Sequence, residues 1–181
     1  MEQKRVSVFA GNRCAPNKEK YYFDLAYQTG KLLAQKGLIV VSGAGPGLMD
    51  QVLKGAFEAG GRTFGVALNV AGRHQSQYVS EMTLHDTLGP RQDEIIKLGD
   101  AYIALPGGIG TIYEVNNILA LKRVGEISKE KPLILLGEYF NMLGPVFKTM
   151  INEGFADESI TGLFKIVSNP EEAADLLASL E

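Results

Sequence analysis

The stretch AYIALPGGIGTIYE, residues 101–114, decides the fold. Residues 101–105 are apolar throughout rather than alternately, the pattern of a β-strand covered on both faces. Pro106 ends the run, the bare positions Gly107, Gly108 and Gly110 follow, and residues 111–122 read as a helix. Strand, glycine turn and helix make the repeating unit of an open α/β sheet. The same alternation extends to both sides. Residues 6–10, 38–42 (LIVVS), 63–68, 132–136 (PLILL) and 165–168 (KIVS) read as further strands. Between them, residues 19–36, 47–59, 90–98 and 139–153 read as helices; the first carries an apolar face at Tyr22, Leu25, Ala26, Leu32 and Leu33. Near the end, Asn169 is placed to cap a last helix, with Pro170 at its first position and Glu172 set for a capping box. Residues 73–86 show no pattern that assigns them to a strand or helix; they are expected to contribute to the pocket for a ligand's base. The expectation is a Rossmann-like, doubly wound parallel sheet with helices on both faces, formed by residues 1–181 as a single domain.

Composition narrows the function. At 181 residues, 45% hydrophobic and 22% charged, the chain can bury a core without disulfide or metal staples. The net charge of −3 and the lack of a basic run speak against nucleic acid as a partner. Cys14 is alone, so no intrachain disulfide forms, and no Cys/His cluster offers a metal site. No apolar stretch reaches the length of a membrane span or a signal-peptide core, so the expectation is a cytoplasmic protein without metal or cofactor.

In this fold, ligands sit at the carboxyl ends of the strands, so the loops after strands matter most. The first is SGAGPGLMD, residues 42–50, where Gly43, Gly45 and Gly47 let backbone approach a ligand at a helix N-terminus. It is not a P-loop, because no Gly-Lys-Ser/Thr follows. A tight strand-to-helix turn is the alternative. The second is LPGGIGTIYE, where Gly107, Gly108, Gly110 and the Thr111 hydroxyl form a nest for a phosphate. Glu114 has two readings: partner of Thr111 in a capping box, if Thr111 is the N-cap, or a carboxylate aimed at a ligand. Arg91, at the start of the helix leading into strand 101–105, is placed to reach the strand ends, and arginine suits bidentate phosphate contact.

These residues resemble the LOG ("lonely guy") family of phosphoribohydrolases, which release a base from a nucleoside 5′-monophosphate. PGGIGTIYE fits the family's PGGxGTxxE at every fixed position, and SGAGPGLM, the upstream arginine, PLILLG and the tail NEGFADESITGLFKIVSNPEEAADLL extend the likeness along the whole chain. The resemblance implies that Gly107, Gly108, Gly110 and Thr111 hold the 5′-phosphate, that Glu114 and Arg91 are catalytic, and that the protein is a homodimer with its site near the interface. The implied reaction frees adenine or an N6-substituted adenine, as in cytokinin activation, and leaves ribose 5-phosphate. The chain departs from the family at Gln92, where a lysine is usual, at Tyr113, where a second acid is common, and in HDTLG, residues 85–89, which lack the usual Met or Phe. A non-catalytic nucleotide or cofactor carrier, such as a molybdenum-cofactor carrier, has a related fold and is the competing class. The family also bears the label of a lysine decarboxylase, but no lysine here has a recognisable pyridoxal phosphate setting.

Overall fold

The computed structural model describes residues 3–178. Seven strands form one sheet in the order β4-β3-β2-β1-β5-β6-β7, every neighbouring pair parallel. They are β1 (Arg5–Phe9), β2 (Ile39–Ser42), β3 (Thr63–Leu68), β4 (Glu81–His85), β5 (Ala101–Ala104), β6 (Leu133–Leu136) and β7 (Lys165–Val167). The helices are α1 (Glu19–Gln35), α2 (Leu48–Glu58), α3 (Leu88–Leu98), α4 (Ile109–Val124), α5 (Leu143–Asn152) and α6 (Pro170–Ala178). The Rossmann-like α/β architecture is therefore as the sequence implies.

Successive residues of a strand face opposite ways, and here both faces are covered. Val40, Ala101 and Ile103 join a core with Ala26, Leu33, Val52 and Leu177, under α1, α2 and α6. Val41, Tyr102 and Ala104 join a second core with Ile95, Ile118 and Phe147, under α3, α4 and α5. All four residues of β5 are fully buried, which is why its sequence shows no alternation. On the first face, α1 and α2 touch backbone to backbone. A Cβ on Gly30 would lie 1.9 Å from the Val52 carbonyl oxygen, and one on Gly55 2.0 Å from that of Tyr27. This contact offsets the helix penalty of a glycine, about 0.5–1 kcal/mol each.

Three expectations need correction. The sequence shows no sign of β4: it is one edge of the sheet, EMTLH, with Glu81, Met82 and Leu84 exposed, so it never forms an apolar run. The expected helix 139–153 is instead a 3-10 turn, Glu138–Met142, followed by α5. Pro145 explains the break, because it has no N–H for the carbonyl four residues back; restarting at Leu143 puts it in a first turn, where none is needed. Third, the N-cap of α4 is Gly108, not Thr111. At the last helix, Asn169 Oδ1 accepts the Glu172 N–H at 2.9 Å, while the Glu172 carboxylate reaches back to the Ser168 N–H at 3.2 Å.

The apolar residues of α4 are mostly core: Val115, Ile118 and Leu119 are buried, and Ile112 and Leu121 pack against the same cluster. Among the described residues no helix is long and apolar enough to cross a membrane.

Candidate active site

The chain leaves β1 for β2 on one side of it and returns to β5 on the other, so the topological switch point lies between β1 and β5. At such a point the loops diverge and leave a crevice. A cleft of about 440 Å³ opens there, walled by residues that follow β1 (Gly11, Asn12, Arg13), β2 (Gly43), β3 (Arg73) and β5 (Gly108).

The β5 side of the cleft is the start of α4. The Ile112 N–H donates to the Gly108 carbonyl at 3.1 Å, the first bond of the helix. The N–H groups of Ile109, Gly110 and Thr111 thus have no carbonyl one turn earlier and are free for an anion. With Gly108 as N-cap, Thr111 is the third helical residue and Glu114 lies a turn further in, so the capping-box reading of Glu114 fails. Its carboxylate does something else.

Arg91 is buried on α3 and its guanidinium is held on three sides. Nε donates to the Val66 carbonyl at 2.9 Å, and Nη1 donates to Gln92 Oε1 at 3.2 Å and to Glu114 Oε1 at 2.5 Å. The two charged side chains are only 7% and 10% exposed. Burial pushes the Glu114 carboxyl above the ordinary carboxylate range, and the charge and hydrogen bond of Arg91 pull it back down. The proton affinity of Glu114 therefore depends on the pair staying intact. Gln92 must present its oxygen to Arg91, which can only donate, and this leaves Gln92 Nε2 buried without a partner.

Of the residues singled out from sequence, Arg91, Glu114, Gly43, Gly108, Gly110 and Thr111 come together around this one cleft. Gly45, Gly47 and Gly107 do not line it. Gly47 has φ +75°, and a Cβ there would meet the Asn12 backbone at 2.4 Å. The first N–H of α2, on Leu48, is given to the Gly11 carbonyl at 3.0 Å. Gly107 lets Thr111 close over it: a Cβ would lie 2.1 Å from Thr111 Oγ1 and 2.8 Å from the Gly11 nitrogen. These two glycines hold the loops against the segment that follows β1 rather than face the cleft.

Sequence reading missed Asn12 and Arg13, although they follow the first strand, where the fold places ligand contacts. It also left Arg73 in the unassigned stretch. Arg13 and Arg73 have no ion pair among the described residues, and Glu114 is the only carboxylate on the cleft wall. In a chain of net charge −3 the cleft is thus locally cationic. No three His, Cys, Asp or Glu side chains converge among the described residues.

Comparison with known proteins identifies the family of the chain. The family profile described as "Possible lysine decarboxylase" matches residues 49–177. The "Probable cytokinin riboside 5'-monophosphate phosphoribohydrolase LOGL9" of Oryza sativa subsp. japonica is 32% identical over 98% of this chain and 78% of its own length. The "Cytokinin riboside 5'-monophosphate phosphoribohydrolase LOG1" of Arabidopsis thaliana is 32% identical over 98% of this chain and 83% of its own. The solved structure of the molybdenum cofactor binding protein from Rippkaea orientalis superimposes with TM-score 0.73 at 26% identity, covering 99% of this chain and 98% of that one. Matched by the profile over most of its length and by these relatives over nearly all of it, the chain belongs to the LOG family, whose profile carries the lysine decarboxylase description.

Proposed function

We propose that the protein is a nucleoside 5′-monophosphate phosphoribohydrolase that releases adenine or an N6-substituted adenine and leaves ribose 5-phosphate. The observation that carries this reading is the Arg91–Glu114 pair in the same cleft as the bare N-terminus of α4. The phosphate binds the free N–H groups of Ile109, Gly110 and Thr111, backed by the helix dipole. That anchor places the ribose across the switch point, toward Glu114. Breaking the C1′–N bond sends its electron pair to the base and builds positive charge at C1′. The Glu114 carboxylate stabilises that charge; its Oε2 has no protein partner among the described residues. Water then forms the new C1′–O bond, giving up one proton as the departing base nitrogen gains one. Arg91 holds Glu114 in place and offers its remaining donors to the nucleotide.

Pyridoxal phosphate does not fit the cleft, since none of the residues lining it is a lysine. Burial does depress the Lys122 ammonium, as a Schiff-base lysine requires. Its Nζ, however, donates to the Leu163 and Lys129 carbonyls at 2.9 and 3.3 Å, outside the cleft.

Incubation with AMP followed by chromatography tests the reaction. Free adenine is expected from AMP and far less from adenosine, because the remote phosphate supplies the binding energy that positions the ribose. Gly108→Val should abolish AMP binding without unfolding the protein: φ there is −87° and a Cβ would meet nothing within 4 Å. Tight AMP binding by this variant would remove the phosphate from the nest. The likeness to the molybdenum cofactor binding protein supports a second reading, a carrier that binds without hydrolysis. No base release by the wild type from any common monophosphate would favour it.

We further propose a homodimer in the cytoplasm. The surface between α4 and α5 carries an apolar groove with Leu119, Phe147, Met150 and Ile160, and Phe155 is 75% exposed. Sedimentation is expected to give twice the chain mass; a monomer at micromolar concentration would overturn the assignment.

A further inference from the structure

The glycine motif marks Gly43 as a place where backbone approaches a phosphate, but its surroundings contain a different neighbour. A Cβ built on Gly43 would lie 2.1 Å from Arg91 Nη2, 3.3 Å from Arg91 Cζ and 2.8 Å from Met49 Sδ. The guanidinium end thus occupies the space where any side chain at 43 would begin. Arginine has five N–H donors. Nε uses its one on Val66, and Nη1 uses both of its own on Gln92 and Glu114. The pair on Nη2, the nitrogen over Gly43, meets no acceptor among the described residues. Gly43 and Arg91 both line the cleft.

We infer that Gly43 is a positioning residue: the missing side chain is a slot for the Arg91 guanidinium, and the slot keeps Nη2 as the donor presented to the ligand. This rests on the hydrolase reading for its kinetic consequence but not for its geometry. Three hydrogen bonds fix the other edges of the guanidinium, so it cannot tilt away from a methyl group at 43 without breaking at least one. The φ of Gly43 lies outside the left-handed region, so alanine is compatible with the backbone itself. The methyl group should therefore displace Arg91 rather than unfold the loop. The phosphate nest belongs to another loop and should be untouched.

The test is a cycle of four proteins: wild type, Gly43→Ala, Arg91→Lys and the double variant. Lysine has no Nη2 and leaves the slot empty. For AMP, Gly43→Ala should lower kcat by about 10-fold or more, as small displacements of catalytic groups do. Ribose 5-phosphate, followed by calorimetry, should bind the variant as it binds the wild type. In the Arg91→Lys background, the alanine should have no further effect on kcat. The inference is overturned if the alanine penalty is equal in both backgrounds, or if Gly43→Ala loses ribose 5-phosphate. Loss of ribose 5-phosphate would make Gly43 part of the phosphate cradle, and an equal penalty in both backgrounds would trace its effect to a neighbour other than Arg91, such as Met49. Should the wild type fail to cleave AMP, the hydrolase reading fails, and the slot is judged by thermal unfolding. A Tm loss from Gly43→Ala that vanishes in the Arg91→Lys background supports it, and an equal loss in both backgrounds overturns it.

Discussion

Glu114→Gln should leave a folded protein that binds AMP at least as tightly as the wild type and turns it over about 10²-fold more slowly or worse. Glutamine is nearly the same size, and its amide oxygen can still accept the Arg91 Nη1–H, so the geometry of the site is kept. What disappears is the negative charge beside C1′. Loss of that charge also leaves the cleft more cationic, which favours a phosphate dianion. A Glu114 that served only to fix α4 would predict full activity for the glutamine variant, since glutamine also fills capping roles. The structure already removes the cap, because Gly108 is the N-cap. Undiminished adenine release by Glu114→Gln would overturn the mechanism. A pH series sharpens the comparison. Burial raises the Glu114 carboxyl, and only its ionised form stabilises C1′. The wild-type rate should therefore climb with pH through the deprotonation of Glu114, and the glutamine variant should lose that limb.

How far the site was legible in the sequence depends on the range of the interactions involved. Residues 101–114 declare a strand, a glycine turn and a helix because a fully buried parallel strand is apolar at every position. That signal is local, and the structure agrees with it. The edge strand β4 gives none, because Glu81, Met82 and Leu84 are all exposed and leave no apolar run. The pairing of Arg91 with Glu114, 23 residues apart, follows from topology. A helix that leads into a parallel strand begins level with that strand's carboxyl end. A helix that leaves the strand begins at the same end. Arg91 in the first turn of α3 and Glu114 near the start of α4 are thus brought to one place by β5. Two other features were beyond reach. Thr111 looks like a cap by residue type, yet the helix starts earlier, at the Gly108 N-cap, and the bare Gly107 lets the Thr111 hydroxyl close over it. Gly43 looks like a phosphate glycine by motif, and only the fold brings the Arg91 guanidinium over it.

Arg91→Ala should be strongly destabilising, and its effect should depend on pH in a defined direction. Removing the guanidinium leaves the Glu114 carboxylate buried without a counter-ion and deprives Val66 and Gln92 of their donor. Removing one partner of a buried pair costs about 3–5 kcal/mol when the remaining group stays charged. Glu114 can escape part of that cost by taking up a proton. Without Arg91 nothing opposes the desolvation that raises its pKa, so the folded-state value rises well above the unfolded one, about 4.3. A carboxyl raised in this way leaves stability complete below the unfolded pKa and removes it as pH climbs through the folded one. The deficit against the wild type should accordingly be smallest near pH 4, where only the lost bonds to Val66 and Gln92 remain, and grow toward neutrality, roughly 1.4 kcal/mol for each unit by which the folded-state pKa of Glu114 in the variant exceeds its already raised value in the wild type. Urea unfolding of both proteins across that range measures it. The paired variant Arg91→Ala/Glu114→Gln supplies the control. With no carboxyl left to ionise, the pH-dependent part should vanish and stability at neutral pH should recover partly above that of Arg91→Ala alone. A deficit that is flat with pH, or one that the second substitution deepens at neutrality, would show that Arg91 supports the fold through Val66 and Gln92 and not through its charge on Glu114.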